Sequence, residues 1–260
     1  MVKGIDLFQE HFKKYKDCYA IIGGTAASEW FAVQDLTFRS TKDIDIVLLV
    51  EVVDKAFIKH FWDFVLDGGY EIRQRNDGRP IYYRFAKPKR RDFPEMLELF
   101  SKEPGGFNLK DEQTIVSVSK DEDASSLSAI LMDEDYYKVV HDFREVSRGL
   151  PLITPAGIIL LKARAWLDMS VRVQAGEKVD SRNIKKHRND VFRMALLLPE
   201  GESFSVPQSV YEDFQKFLEA FPVESTEWES IKSAVGKNPS LPPVKDVLKA
   251  LYDAFLSPEI

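Results

Sequence analysis

The spacing of hydrophobic and polar positions changes period repeatedly along the chain, and each change predicts an element. Over residues 5–17, Ile5, Phe8, Phe12 and Tyr15 share one side of a short amphipathic helix. The compact run Tyr19-Ala20-Ile21-Ile22 predicts a strand ending at Gly23-Gly24, with a helix from Thr25 to Gln34 behind it. After Asp45 the stretch to Val50 is apolar and β-branched, as in a strand inside a sheet. Phe57, Phe61, Phe64 and Val65 line one face of a helix predicted over 54–67, which Gly68-Gly69 stops. Strands follow over 70–75, 80–86, 95–101 and 114–119, with Asn76-Asp77-Gly78 as the turn between the first two. Another strand is expected over 126–132, a helix from Asp133 to Arg148, and a strand from Leu150 to Ile153.

Beyond that point the pattern is helical. Thr154-Pro155 is a start signal, Thr as cap and Pro in the first turn. Helices are predicted at 155–171, 181–198, 207–220, 226–235 and 243–256, with prolines punctuating them. The expected architecture is α/β (α+β), a mixed sheet flanked by helices over residues 1–153 and a helical domain over 154–260.

Composition adds boundaries to this picture. The single cysteine, Cys18, rules out an intramolecular disulfide and fits a reducing compartment. No apolar run reaches the length of a membrane span, and the charged amphipathic start is unlike a signal peptide, so the cytoplasm is the expected location. A net charge of −6 argues against a generic charge-driven nucleic-acid binder. Two basic clusters stand out, Lys87-Pro88-Lys89-Arg90-Arg91 and Lys185-Lys186-His187-Arg188, and any RNA phosphates would be met there. The four histidines are scattered without zinc-ligand spacing.

The candidate chemistry lies between the first two strands. Asp43 and Asp45 are two apart on a strand, so they leave the same face while Ile44 and Ile46 face a core. Two neighbouring carboxylates stay ionised most readily beside a cation, and magnesium, or manganese in its place, takes hard oxygen ligands while keeping room for phosphate oxygens. Gly23 and Gly24 let the backbone approach a ligand, and the helix N-terminus that follows favours anions. Thr25 would cap that helix or offer its hydroxyl to a phosphate. No Gly-Lys-Thr or Gly-Lys-Ser follows, so this is not a P-loop. Glu98, inside the apolar strand Met96-Leu97-Glu98-Leu99-Phe100, needs a partner, which is a metal, a proton to carry, solvent or Arg84.

Tyr19-Ala20-Ile21-Ile22-Gly23-Gly24-Thr25-Ala26-Ala27, followed by Arg39-Ser40-Thr41-Lys42-Asp43-Ile44-Asp45-Ile46, resembles the signature of the nucleotidyltransferase superfamily. Its form is most similar to the AbiEii family of toxins from type IV toxin–antitoxin and abortive-infection systems. The resemblance implies a magnesium-dependent enzyme that moves a nucleoside monophosphate from a nucleoside triphosphate to a hydroxyl, on tRNA or another macromolecule, under the control of an antitoxin. It implies Asp43, Asp45 and Glu98 as metal ligands and catalytic groups, although the superfamily more often has aspartate in the place of Glu98. It further implies Gly23, Gly24, Thr25 and Arg39 around the nucleotide, Lys162 on its phosphates, and Asp190 positioning Lys162 or the second substrate. Two other readings accompany it: modification of a small hydroxylated molecule, as by aminoglycoside nucleotidyltransferases, and a non-catalytic protein that binds a nucleotide or a partner.

Overall fold

The computed structural model describes residues 2–49, 51–74, 82–100, 115–117, 130–131, 133–236 and 240–257. The turn expected at Asn76-Asp77-Gly78 and most of the strand expected over 126–132 lie outside them. The chain forms two compact units, residues 1–132 with 140–153, and residues 133–139 with 154–260. The segment 133–139 thus packs with the second unit although it precedes the last strands of the first.

The first unit is built on an eight-stranded mixed sheet among the described residues. Its strands are β1 (Tyr19–Ile22), β2 (Asp43–Leu48), β3 (Glu71–Gln74), β4 (Tyr82–Ala86), β5 (Met96–Phe100), β6 (Ile115–Ser117), β7 (Arg144–Ser147) and β8 (Leu150–Ile153), in the order β6-β3-β4-β5-β2-β1-β8-β7. β2 pairs antiparallel with β1 and parallel with β5, and β4 pairs antiparallel with β5. Among the described residues this unit carries the helices α1 (Ile5–Phe12), α2 (Gly23–Val33) and α3 (Lys55–Gly68).

Strand alternation divides the sheet into two chemically different faces. Register places Tyr19 and Ile21 of β1 beside Leu48 and Ile46 of β2, then Ile44 and Ile46 beside Leu97 and Leu99 of β5, then Phe85 and Tyr83 of β4. Opposed residues in a ladder leave the same face, so these apolar side chains form one surface. α1 and α3 cover it through an aromatic cluster in which Phe8 and Phe12 meet Tyr19, Phe57, Phe61 and Phe64, with ring centroids 4.5 to 6.2 Å apart. Phe61 and Trp62 carry the packing to Phe85 at 5.5 and 5.7 Å. The residues in between, Asp43, Asp45, Glu98 and Arg84, leave the other face.

One expectation fails locally. The helix expected from Asp133 to Arg148 stops at Asp142, and Arg144–Ser147 pairs instead with Leu150–Ile153 as a hairpin. The two connecting residues, Arg148 and Gly149, both have positive φ (49° and 86°), the backbone of a tight two-residue hairpin turn. Side-chain periodicity does not report this, because the strand is made by its partner.

The second unit is helical, with helices Pro155–Gln174, Ser181–Met194, Gln208–Glu219, Trp228–Val235 and Val244–Ala254. Thr154 accepts from the Gly157 N–H at 3.4 Å, as its capping position requires. A two-residue parallel bridge, Phe204–Ser205 with Phe255–Leu256, closes the chain's end. Asp213 ties the 133–139 segment in, accepting from the Tyr136 hydroxyl at 3.1 Å, Arg164 Nη1 at 2.6 Å and Lys216 Nζ at 3.2 Å. Asp213→Ala is expected to destabilise the protein by about 2 kcal/mol, since it removes charge-assisted bonds to a buried tyrosine. Urea unfolding of the two proteins measures it, and an unchanged midpoint would show that the cluster contributes nothing. Among the described residues no helix is long and apolar enough to cross a membrane.

Candidate active site

β1 ends against the carboxylates of β2. Ile22 pairs with Asp45, and the next residue, Gly23, turns the chain into α2 with φ +67°. A Cβ on Gly23 would stand 1.9 Å from Asp45 Oδ2, so the carboxylate occupies the space that any other residue's side chain would need. At Gly24 a Cβ would meet Thr41 Oγ1 at 2.9 Å and Arg39 Nη2 at 3.5 Å. The glycine turn is therefore closely surrounded by Asp45, Thr41 and Arg39, which the sequence places 15 to 22 residues downstream. Arg39 also lies over the Phe38 ring, its Cζ 5.2 Å from the centroid.

Thr25 behaves otherwise than expected. It is fully buried, and its hydroxyl donates to the Asp43 main-chain carbonyl. The hydroxyl proton is spent on locking α2 to the start of β2, and the residue at the helix cap position is Ile22. Thr25 is thus a brace between the two motifs rather than a cap.

Asp43 and Asp45 are half-buried on one face of β2, and Glu98 stands directly beside Asp45 on β5. Glu98 is buried, and its Oε1 accepts from Arg84 Nε at 2.6 Å, with Arg84 Nη2 on the same oxygen. Burial first, then the Asp45 carboxylate, push the Glu98 carboxyl up to about 8, against the pull of Arg84; Asp43 adds to the rise. Among the described residues no group of three or more His, Cys, Asp or Glu side chains is disposed to hold a metal ion. Of the three carboxylates expected from the sequence, Asp43 and Asp45 share one face of β2, and Glu98 pairs with Arg84 beside Asp45. Both aspartates leave one partly exposed face of β2, and at Glu98 they add to the rise that burial begins.

The Glu98 shift has a measurable consequence without any ligand. Folded Glu98 holds its proton up to about 8, whereas an unfolded carboxyl releases it near 4.5, so between those values the folded chain binds more protons. Stability from this residue falls as pH rises through that window. Thermal melts of the metal-free protein are expected to show the decline, and Glu98→Gln to flatten it. A slope identical in the two proteins would contradict the assignment.

Lys162 and Asp190 lie in the second unit, where they meet each other with Nζ 4.0 Å from Oδ2. Asp190 also faces Arg193, Nη1 to Oδ1 at 3.4 Å, and is 1% exposed. Three cations of the basic clusters meet carboxylates within the protein. Arg90 binds Asp67 and Asp92, Lys87 pairs with Glu71 at 3.2 Å, and Arg188 is buried against Glu227 and Ser230.

Arg84 is the residue of this constellation whose place sequence reading left open. Its strand, Tyr82-Tyr83-Arg84-Phe85-Ala86, shows a lone cation at an alternating position, but register alone puts it opposite Glu98.

No protein-family model matches the chain, and no curated protein matches it. Among solved structures, it is similar to the crystal structure of an antigenic nucleotidyltransferase-like protein from Paracoccidioides brasiliensis. The two are 14% identical, with 96% of this chain and 91% of that one covered, at a TM-score of 0.39.

Proposed function

We propose that the protein is a nucleotidyltransferase that moves a nucleoside monophosphate from a nucleoside triphosphate to a hydroxyl acceptor. The observation that carries this reading is the close fit of the Gly23 turn to the Asp45 carboxylate, with Arg39 and Thr41 against Gly24. It joins an anion-attracting helix start to a cation-attracting carboxylate pair, which is what a triphosphate bound through a divalent cation requires.

In this reading Asp43 and Asp45 hold magnesium or manganese. The cation, when bound, neutralises the triphosphate and favours the hydroxyl's ionisation. The glycine turn presents backbone N–H groups to phosphate oxygens, and Arg39 offsets their charge. The acceptor oxygen attacks the α-phosphorus in line, the bond to the bridging oxygen of the β-phosphate breaks, pyrophosphate leaves, and the hydroxyl proton passes to a site carboxylate. Lys162 and Asp190, which the resemblance implies for the nucleotide, meet each other within the second unit.

An RNA acceptor and a controlling antitoxin follow from the AbiEii resemblance. The engagement of Arg90, Lys87 and Arg188 with intramolecular carboxylates favours a second acceptor class, small hydroxylated molecules. Incubation of the protein with each labelled nucleoside triphosphate, total RNA or a panel of aminoglycosides, and magnesium tests both. Labelled RNA supports the first acceptor and labelled aminoglycoside the second. No transfer to any acceptor, with triphosphate still bound, would leave a nucleotide-binding protein and defeat the enzymatic reading.

A further inference from the structure

Two histidines tie α1 to α3 on the apolar side of the sheet. His11 stands in the last turn of α1 and His60 in the first half of α3. Each ring reaches the other residue's main chain: His11 Nε2 lies 3.1 Å from the His60 carbonyl, and His60 Nε2 lies 2.8 Å from the His11 carbonyl. Between these bonds the rings stack, with centroids 3.9 Å apart and planes 16° from parallel. A carbonyl oxygen only accepts, so both Nε2 atoms carry a proton, and any further proton goes to Nδ1. The His11 carbonyl is one that its own helix leaves unmet. The Tyr15 N–H, which would reach it in a longer helix, goes to the Phe12 carbonyl at 2.9 Å. His60 therefore caps α1 from another helix.

Stacking makes this pair sensitive to acid. Neutral imidazoles stack without penalty, whereas two imidazolium rings in the same half-buried place repel each other. Phe12, Tyr15 and Phe64 enclose the rings at 4.8 to 5.6 Å, so aromatic carbon rather than solvent lies against them. The charged groups around the pair are Asp63 and Asp67 of α3, held by Lys59 and Arg90 at 2.9 Å each, and the Glu10–Lys13 pair at the end of α1. We propose that His11 and His60 form an acid-sensitive clasp, which holds α1 on α3 while both rings are neutral and lets α1 lift when both are charged. Lifting α1 takes Phe8 and Phe12 out of the cluster with Phe57, Phe61 and Phe64. Burial lowers His11 from its ordinary 6.5; the bond to the His60 carbonyl opposes this, the facing His60 ring adds to it, and the two aspartates oppose it. A lowered histidine gives its full stabilisation above 6.5 and loses it as pH falls below that value.

Hydrogen exchange of the α1 amides in the full chain, corrected for the intrinsic effect of pH and referred to the amides of β1, reads the clasp locally. Protection of α1 is expected to fall by about tenfold between about pH 7.5 and about pH 5.5, the range in which histidine charges. The variant His11→Gln/His60→Gln keeps an N–H donor for each carbonyl but has nothing to protonate, so its α1 is expected to be protected equally at both pH values. Protection of the parent's α1 that does not change with pH overturns the proposal. So does a double variant with the same fall as the parent, because other groups would then be responsible. If the double variant does not fold, nitrogen NMR of the parent's histidine rings decides. His11 and His60 are expected to carry their proton at Nε2 at about pH 7.5 and to gain the second at Nδ1 as α1 loses protection. Either ring protonated at Nδ1 alone, or α1 released before the rings charge, defeats the clasp.

Discussion

Asp45→Ala is expected to reduce nucleotide transfer by about a thousandfold or more, roughly 4 kcal/mol of transition-state stabilisation, while leaving the fold intact. Asp45 is one of two carboxylates assigned to the cation, and its side chain also lies against the glycine turn. Losing it removes a ligand and opens the floor on which the triphosphate would rest. Stability is expected to move the other way, because Asp45 is the charge that most raises Glu98 after burial itself. Removing one of two repelling carboxylates relieves the metal-free protein. An inactive variant that melts no lower than its parent separates a catalytic loss from unfolding. Asp43→Ala is expected to lose transfer likewise, and transfer that survives both substitutions would sink the enzymatic assignment.

Gly23→Ala is the largest stability effect expected from a single methyl group, about 3 kcal/mol. It adds the cost of a left-handed backbone for a residue with a Cβ to that of overpacking. The methyl carbon would arrive 1.9 Å from Asp45 Oδ2, so Asp45 must move for the chain to fold at all. Transfer activity is expected to fall with it. Urea unfolding measures the first effect, and the double variant Gly23→Ala/Asp45→Ala isolates its cause. With the clashing carboxylate gone, the steric part is recovered and the backbone part remains, so the two substitutions are not additive. Full additivity would show that the close approach at Gly23 is not what makes glycine necessary there.

Much of this arrangement is visible in one dimension because it obeys short periods. The alternation Asp43-Ile44-Asp45-Ile46 already separates a polar from an apolar face, and the structure buries Ile44 and Ile46 while leaving both aspartates half-exposed. The stripe Phe57, Phe61, Phe64 and Val65 likewise becomes the buried face of α3. Where periods were absent or overridden, expectation and structure part. Residues 144–147 carry no strand signal of their own, since their pairing with β8 depends on the turn at Arg148-Gly149. Thr25 has the look of a helix cap, yet its hydroxyl goes to a carbonyl 18 residues away.

The sequence alone determined which residues share a face and which turn must be glycine, because those are consequences of backbone geometry within a few residues. Tertiary structure decided the partners. It set Glu98 against Arg84 by strand register, joined Lys162 to Asp190 across two helices, and took up Arg90 and Arg188 in ion pairs with distant carboxylates. A charge's partner is chosen by proximity in space and by the cost of leaving it buried alone, and neither is written in the residues adjacent to it.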